Sequence, residues 1–126
     1  MPDGGTAPPS SIHHVNFIVR DLGEACERFE KTLGLPTFEI VDHAPRGAHV
    51  ARSRIGESWF VLVAPYDPES VPGRYLEEHG EGFFLLSLAV DELDDTRAGI
   101  LDWHVSDVGE LHGALFQLTK KPDNDQ

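Results

Sequence analysis

One strand-like motif occurs twice in this chain, and the two copies differ at a chemically decisive position. Ile12-His13-His14-Val15-Asn16-Phe17-Ile18-Val19-Arg20-Asp21-Leu22 aligns with Phe83-Phe84-Leu85-Leu86-Ser87-Leu88-Ala89-Val90-Asp91-Glu92-Leu93. Each copy is an apolar strand that stops at an acidic residue, with a leucine close behind. The copies lie 71 residues apart, His14 to Leu85. A solenoid needs three or more short units, so a single repeat at this distance predicts two similar βα-type modules. Where the first copy has His14, the second has Leu85. A histidine there is able to ligate a metal or move a proton; a leucine is not.

The periodicities fill in the first module. Residues 12–19 read as a strand. Asp21 followed by Glu24 is a capping-box variant. Leu22, Ala25, Cys26, Phe29 and Leu33 then recur at helical spacing up to Gly34, a natural stop. The helix is expected at 22–33. Strands follow at 38–41, 48–54 and 59–63, with a turn at 44–47, so the order is βαβββ. Residues 64–82 read as a proline-bearing linker with a short helical turn at 74–79. The second module begins at Phe83, with strands expected at 100–105 and 114–119. His14 to Val63 spans 49 residues and Leu85 to Thr119 only 34. The deficit of 15 is about a helix plus a turn. The expected fold is therefore α+β: paired βαβββ modules forming a curved mixed sheet with a cleft, the second module lacking its helix.

The domain organisation follows. Residues 1–10, rich in Pro, Gly and Ser, are a flexible tail and not a signal peptide, having no basic start or apolar core. Residues 11–120 form one domain, with module one at 12–63, a linker at 64–82 and module two at 83–119. Residues 121–126 are a polar tail. No apolar run is long enough to span a bilayer. Twenty-two acidic against ten basic residues give a net charge of −12, which disfavours nucleic acid and anionic membranes. An anionic small molecule requires locally gathered arginines, and Arg46, Arg52 and Arg54 offer them. The single cysteine, Cys26, suits a reducing cytoplasm and is expected to be inert packing.

Several residues support more than one reading. His14, with Asn16 and Ile18, is expected on the face away from the helix. It is a hydrogen-bonded remnant of a lost site, an acid–base or substrate-orienting group, or a metal ligand. His13 is expected on the opposite face. Trp59 shares a face with Val61 and either stacks on a ligand or fills the core. Asp102 and His104 share a strand face, a common chance arrangement, and Trp103 belongs to the cavity or to a dimer contact. Glu77, Glu78 and His79 read as a solvated turn.

Two βαβββ modules with a histidine on the first strand resemble the vicinal oxygen chelate superfamily, which includes glyoxalase I, methylmalonyl-CoA epimerase, extradiol dioxygenases and bleomycin-resistance proteins. Ile12-His13-His14-Val15 followed by Arg20-Asp21-Leu22 looks like its opening strand. Gly56-Glu57-Ser58, and then Tyr75-Leu76-Glu77-Glu78-His79-Gly80-Glu81-Gly82, look most like the epimerase branch. The resemblance implies a divalent metal held by one residue from each of four strands, which by position are His14, Val61, Leu85 and Gln117. Val61 and Leu85 have no ligating atom, and the Gln117 amide is a weaker ligand than a carboxylate. No metal and no other cofactor is therefore expected.

Taken together, these readings imply a small-molecule-binding protein, or an enzyme with metal-free substituted chemistry. His14 and Gln117 are the candidate catalytic residues. Asn16, Arg52, Trp59, Leu85 and Ser87 are the candidate ligand contacts. The alternatives are a divalent-metal-dependent lyase, epimerase or dioxygenase, and a non-catalytic dimeric scaffold. A homodimer is expected because Leu86, Leu88 and Val90 have no helix to cover them, unless Tyr66, Tyr75 and Leu76 fold back over that face.

Overall fold

A computed structural model describes residues 9–43, 47–90 and 116–120. Six strands form one mixed sheet in the order β2-β3-β4-β1-β5-β6. They are β1 (Ser11–Ile18), β2 (Glu39–His43), β3 (Ala48–Ile55), β4 (Ser58–Pro65), β5 (Gly82–Val90) and β6 (Phe116–Lys120), with helices α1 (Leu22–Leu33) and α2 (Val71–His79). The two copies of the repeated motif are β1 and β5, antiparallel neighbours at the centre of the sheet. β1 pairs in parallel with β4, and β5 in parallel with β6. The parallel partners His14 and Trp59 lie 45 residues apart, and Ser87 and Gln117 lie 30 apart. The second module is thus 15 residues shorter, as its sequence predicts. The segment expected to lack a helix, the strand at 100–105 and the turn residues 44–46 lie outside the described residues.

α1 forms where its caps dictate. The Asp21 side chain accepts from the Glu24 N–H at 3.1 Å, and Gly34 adopts a left-handed φ of 71° that closes the helix onto the Glu30 carbonyl. Leu22, Ala25, Cys26 and Phe29 pack on one face of the sheet, against Val19, Phe38, Ala51, Leu62 and Ala64. Phe17 stacks on Phe60 there at 5.1 Å. Leu33 does not join them; at the last turn it is 58% exposed, and Leu35, beyond the cap, takes the expected packing role.

The opposite face buries Ile18, Ala48, Val50, Val61, Val63, Phe84 and Leu85. α2 covers one end of it through Tyr75 and Leu76. This helix begins three residues before the expected turn at 74–79. Ser70 caps it by accepting from the Gly73 N–H, and Pro72 sits in the first turn, where its missing N–H costs nothing. Glu77, Glu78 and His79 are exposed on it. Its cover falls on Phe84 and Leu85, not on Leu86 and Leu88, and Tyr66 instead lies against His49 at 4.8 Å. Leu86 and Leu88 are half-buried, whereas Val90, expected to be bare with them, is fully buried.

Candidate functional site

Strand register lines up the expected site residues in two adjacent rows on the face opposite α1. In one row Arg54, Trp59, His14, Ser87 and Gln117 are successive partners across β3, β4, β1, β5 and β6. In the next, Arg52, Val61, Asn16 and Leu85 are successive partners across β3, β4, β1 and β5. Side chains in register on neighbouring strands share a face, so His14, Asn16, Arg52, Trp59, Leu85 and Ser87 sit together, and position 117 falls at the end of the first row. Trp59 packs against the cluster that includes Val61, which fixes the strand phase. His14 and Gln117 lie in one row, two strands apart, with Ser87 between them.

His13 is not where alternation puts it. A register shift between Ile12 and His14 makes His13 the extra residue of a β-bulge. The bulge brings its ring against His14: the centroids are 5.0 Å apart and the Nδ1 atoms 2.8 Å apart. Burial first, and then the charges of Arg54 and Arg52, hold the His13 pKa below its ordinary value. A second register shift makes Phe84 the extra residue of β5. In the repeat alignment Phe84 is the counterpart of His13, so the bulges are equivalent. The same backbone device presents a His13–His14 doublet in module one and a Phe84–Leu85 doublet in module two. The second doublet is buried beneath Tyr75 and Leu76 of α2; the first stays half-exposed.

Beside the imidazoles is a cationic, aromatic corner. The Arg52 guanidinium carbon lies 3.9 Å from the Trp59 ring centroid and that of Arg54 lies 4.7 Å away, both within cation–π range. Arg52 Nε donates to Glu39 at 2.7 Å, and Arg54 Nε to the Gly56 carbonyl at 2.7 Å. Trp59 therefore both joins the core and lines the face. Deeper along the strands the face becomes apolar, with Val61 8% and Leu85 0% exposed. Ser87 is buried and shares a hydrogen bond of 2.6 Å with Thr119.

The four-strand metal arrangement does not fit these residues. Val61 and Leu85 bring buried hydrocarbon to two of its four places, and among the described residues no three His, Cys, Asp or Glu side chains gather. Arg46, Asp102, Trp103 and His104 lie outside the described residues. Cys26 faces the α1 core half-buried, and burial and then Glu30 raise its thiol pKa. Sequence alone does not reveal the His13 bulge, since alternation is the only signal it offers.

A two-module α+β sheet with a chemically equipped face opposite its helix defines the class. A profile of the Glyoxalase/Bleomycin resistance protein/Dioxygenase superfamily matches residues 11–118. The chain belongs to that superfamily. Among solved structures it is similar to Streptomyces coelicolor methylmalonyl-CoA epimerase in complex with 2-nitronate-propionyl-CoA, at 20% identity and a TM-score of 0.78, covering 90% of this chain and 99% of that one. It is also similar to methylmalonyl-CoA epimerase from Mycobacterium tuberculosis, at 20% identity and a TM-score of 0.77, covering 94% and 92%. A hypothetical protein from Bacillus halodurans C-125 is similar at 16% identity and a TM-score of 0.76, covering 91% and 96%. At these identities the likeness is one of fold. A sequence search of curated proteins finds no match.

Proposed function

We propose that the face opposite α1 binds a small organic anion with a planar apolar part, and that this binding is independent of a metal. The observation that carries the reading is the pair of guanidiniums on Trp59, beside His14, in a chain of net charge −12. Arginines held in place on an aromatic ring are pre-organised donors for a carboxylate or phosphate. Trp59 offers the stacking surface, and Leu85 and Val61 the apolar floor. His14, and Gln117 further along the row, orient a polar group of the ligand. The chemistry we propose for this face is proton transfer at His14; a metal-dependent lyase, epimerase or dioxygenase is the alternative, for which no donor set gathers among the described residues. A cytoplasmic protein, without nucleic-acid or membrane partners, fits the acidic charge and the unreactive Cys26; among the described residues no helix is long and apolar enough to cross a membrane.

We also propose a homodimer. α1 lies over β3 and β4. On the α1 side of β5, Leu86 and Leu88 are half-buried and Phe83 is 44% exposed.

Calorimetric titration with phenylacetate and with propionyl-CoA tests the ligand reading; the second probe is chosen because the Streptomyces neighbour holds a CoA ester. Wild type is expected to bind one of them, and Arg52→Ala to bind it about tenfold more weakly, as for loss of a charge-assisted hydrogen bond. The fold should tolerate the change, since exposed cation–π and ion pairs contribute only about 0.2–1 kcal/mol each. If wild type binds neither at millimolar concentration, or the variant binds equally well, the face is not an anion site and the scaffold reading takes its place.

A further inference from the structure

Three polar residues are buried in the described sheet: Asn16, Ser53 and Ser87. Two have partners. Ser53 Oγ donates to the Pro36 carbonyl at 2.7 Å, and Ser87 shares its hydrogen with Thr119 at 2.6 Å. Asn16 is 2% exposed, and its Oδ1 is enclosed with no hydrogen-bond partner among the described residues. Buried acceptors are nearly always matched, because an unmade hydrogen bond costs more than a made one contributes. An exception beneath a ligand-facing surface marks an acceptor left for something the free protein does not hold.

The repeat shows how the exception arises. Asn16 and Ser87 are counterparts in the two copies of the motif. Thr119 stands two residues beyond Gln117, the parallel partner of Ser87. The equivalent place in module one, two residues beyond Val61, is Val63. Module two supplies a hydroxyl where module one supplies a fully buried hydrocarbon. The other strand neighbours of Asn16, Val61 and Leu85, are also apolar.

We infer that Asn16 Oδ1 accepts a hydrogen bond from a donor on the ligand, so that this face selects an anion carrying a hydroxyl or N–H near its charged group over the analogue lacking it. The inference rests on the anion-binding reading above. The layout permits one molecule to make both contacts. Arg52 and Asn16 flank Val61 on either side, roughly 10 Å apart at Cα for two strand spacings. The Arg52 side chain crosses part of that gap to reach Trp59. Asn16 lies one row deeper than His14 and Trp59, just short of the end that α2 fills. A carboxylate at the arginines and a ring on Trp59 leave the adjoining hydroxyl pointing down the face toward Asn16. A site built around one polar atom rejects ligands that leave that atom unmatched far more strongly than it rejects a change in hydrocarbon size.

The test compares mandelate, its O-methyl ether and phenylacetate by calorimetry on wild type, Asn16→Leu and Arg52→Ala. Mandelate is expected to bind wild type at least about tenfold more tightly than either analogue. Asn16→Leu should bring the three within about twofold by losing mandelate alone, and Arg52→Ala should weaken all three together. If the leucine does not fit, Asn16→Ala makes the same comparison. Phenylacetate binding as tightly as mandelate, or a preference that survives at position 16, overturns this inference and leaves the anion site standing. An ether as tight as mandelate also overturns it, since the ether has no hydrogen to donate. No binding by any of the three overturns this inference, and overturns the anion site as well where propionyl-CoA also fails to bind. A further measurement needs no ligand: the free Asn16→Leu protein should melt at a higher temperature than wild type, having lost an unmatched polar group. A lower melting temperature means that Asn16 is satisfied within the free fold, and the inference fails.

Discussion

The Nδ1 atoms of His13 and His14 stand 2.8 Å apart, so the two rings share one hydrogen between these nitrogens. Both cannot carry a proton there at once. The His13 pKa is held below 6.5 by its burial and then by Arg54 and Arg52.

The shift has a consequence for stability. Between its folded pKa and 6.5, the unfolded chain binds a proton at His13 that the folded chain refuses. Stability from this group is therefore fully present above 6.5 and is lost as pH falls through that value toward the folded pKa. Urea unfolding between pH 5 and 7.5 should show stability rising with pH. In His13→Gln, which keeps a polar side chain without the titration, the rise should be shallower. Equal slopes in the two proteins would refute the assignment.

Most of the fold is legible in the sequence because its signals are local. The α1 caps, the apolar face of the helix and the alternation of β3 and β4 each follow from neighbours within a few residues. The site's composition follows from strand phase, which is why Trp59, Arg52, Asn16 and Ser87 reach one face as expected. What alternation conceals is the pair of bulges. One extra residue in β1 moves His13 from the α1 side to the side of His14, and one in β5 does the same for Phe84. A bulge is settled by pairing between strands distant in sequence, so no local pattern announces it. The Leu33 expectation fails for a related reason: periodicity continues to the helix end, but the cap at Gly34 turns the chain and hands the packing position to Leu35.

Metal content is a second test. Val61 and Leu85 bring hydrocarbon to two of the four strand positions where the superfamily resemblance implies ligands. Protein purified without chelators should hold far less than one transition-metal ion per chain by elemental analysis. Near-stoichiometric metal would require ligands from outside the described residues and would return the metal-dependent reading to first place.

Gly73 separates helix propensity from packing. It lies inside α2, where alanine is ordinarily better than glycine by about 1 kcal/mol. A Cβ at this position, however, would lie 2.2 Å from the Asp67 carbonyl oxygen and 2.9 Å from Pro68 Cα, both backbone atoms. The clash has no flexible side chain to absorb it, so the turn before α2 must move. Gly73→Ala is expected to destabilise, by roughly 1–3 kcal/mol as for overpacking. Because α2 covers Phe84 and Leu85, the same variant should expose apolar surface and increase binding of a hydrophobic dye. A variant as stable as wild type would show that the helix start adjusts freely.

The last prediction concerns association. On the α1 side of the sheet, β1 is covered through Phe17 and Val19, which pack with Leu22, Ala25 and Phe29. β5 has no such cover from α1, which lies over β3 and β4. Among the described residues the other helix, α2, packs on the opposite face. Leu86 and Leu88 are left half-buried and Phe83 44% exposed. Gly82, next to Phe83 in the chain, helps Phe17 and Phe29 to line a hollow of about 390 Å³. Burying a leucine or phenylalanine fully contributes about 1.5–3 kcal/mol, so two or three of them partly covered offer a useful but not large incentive to associate. A second copy placed by a two-fold axis would cover the same side chains in both chains at once. Light scattering coupled to size exclusion should therefore give a mass near twice 13.9 kDa at micromolar concentration. Leu88→Asp should shift it to the monomer while leaving the far-ultraviolet circular dichroism unchanged, because Leu88 is not part of either buried core cluster. Glu77→Lys, on the exposed side of α2, should leave the mass as it is. A wild-type mass near 14 kDa would overturn the dimer, and a dimer that survives Leu88→Asp would move the interface away from β5.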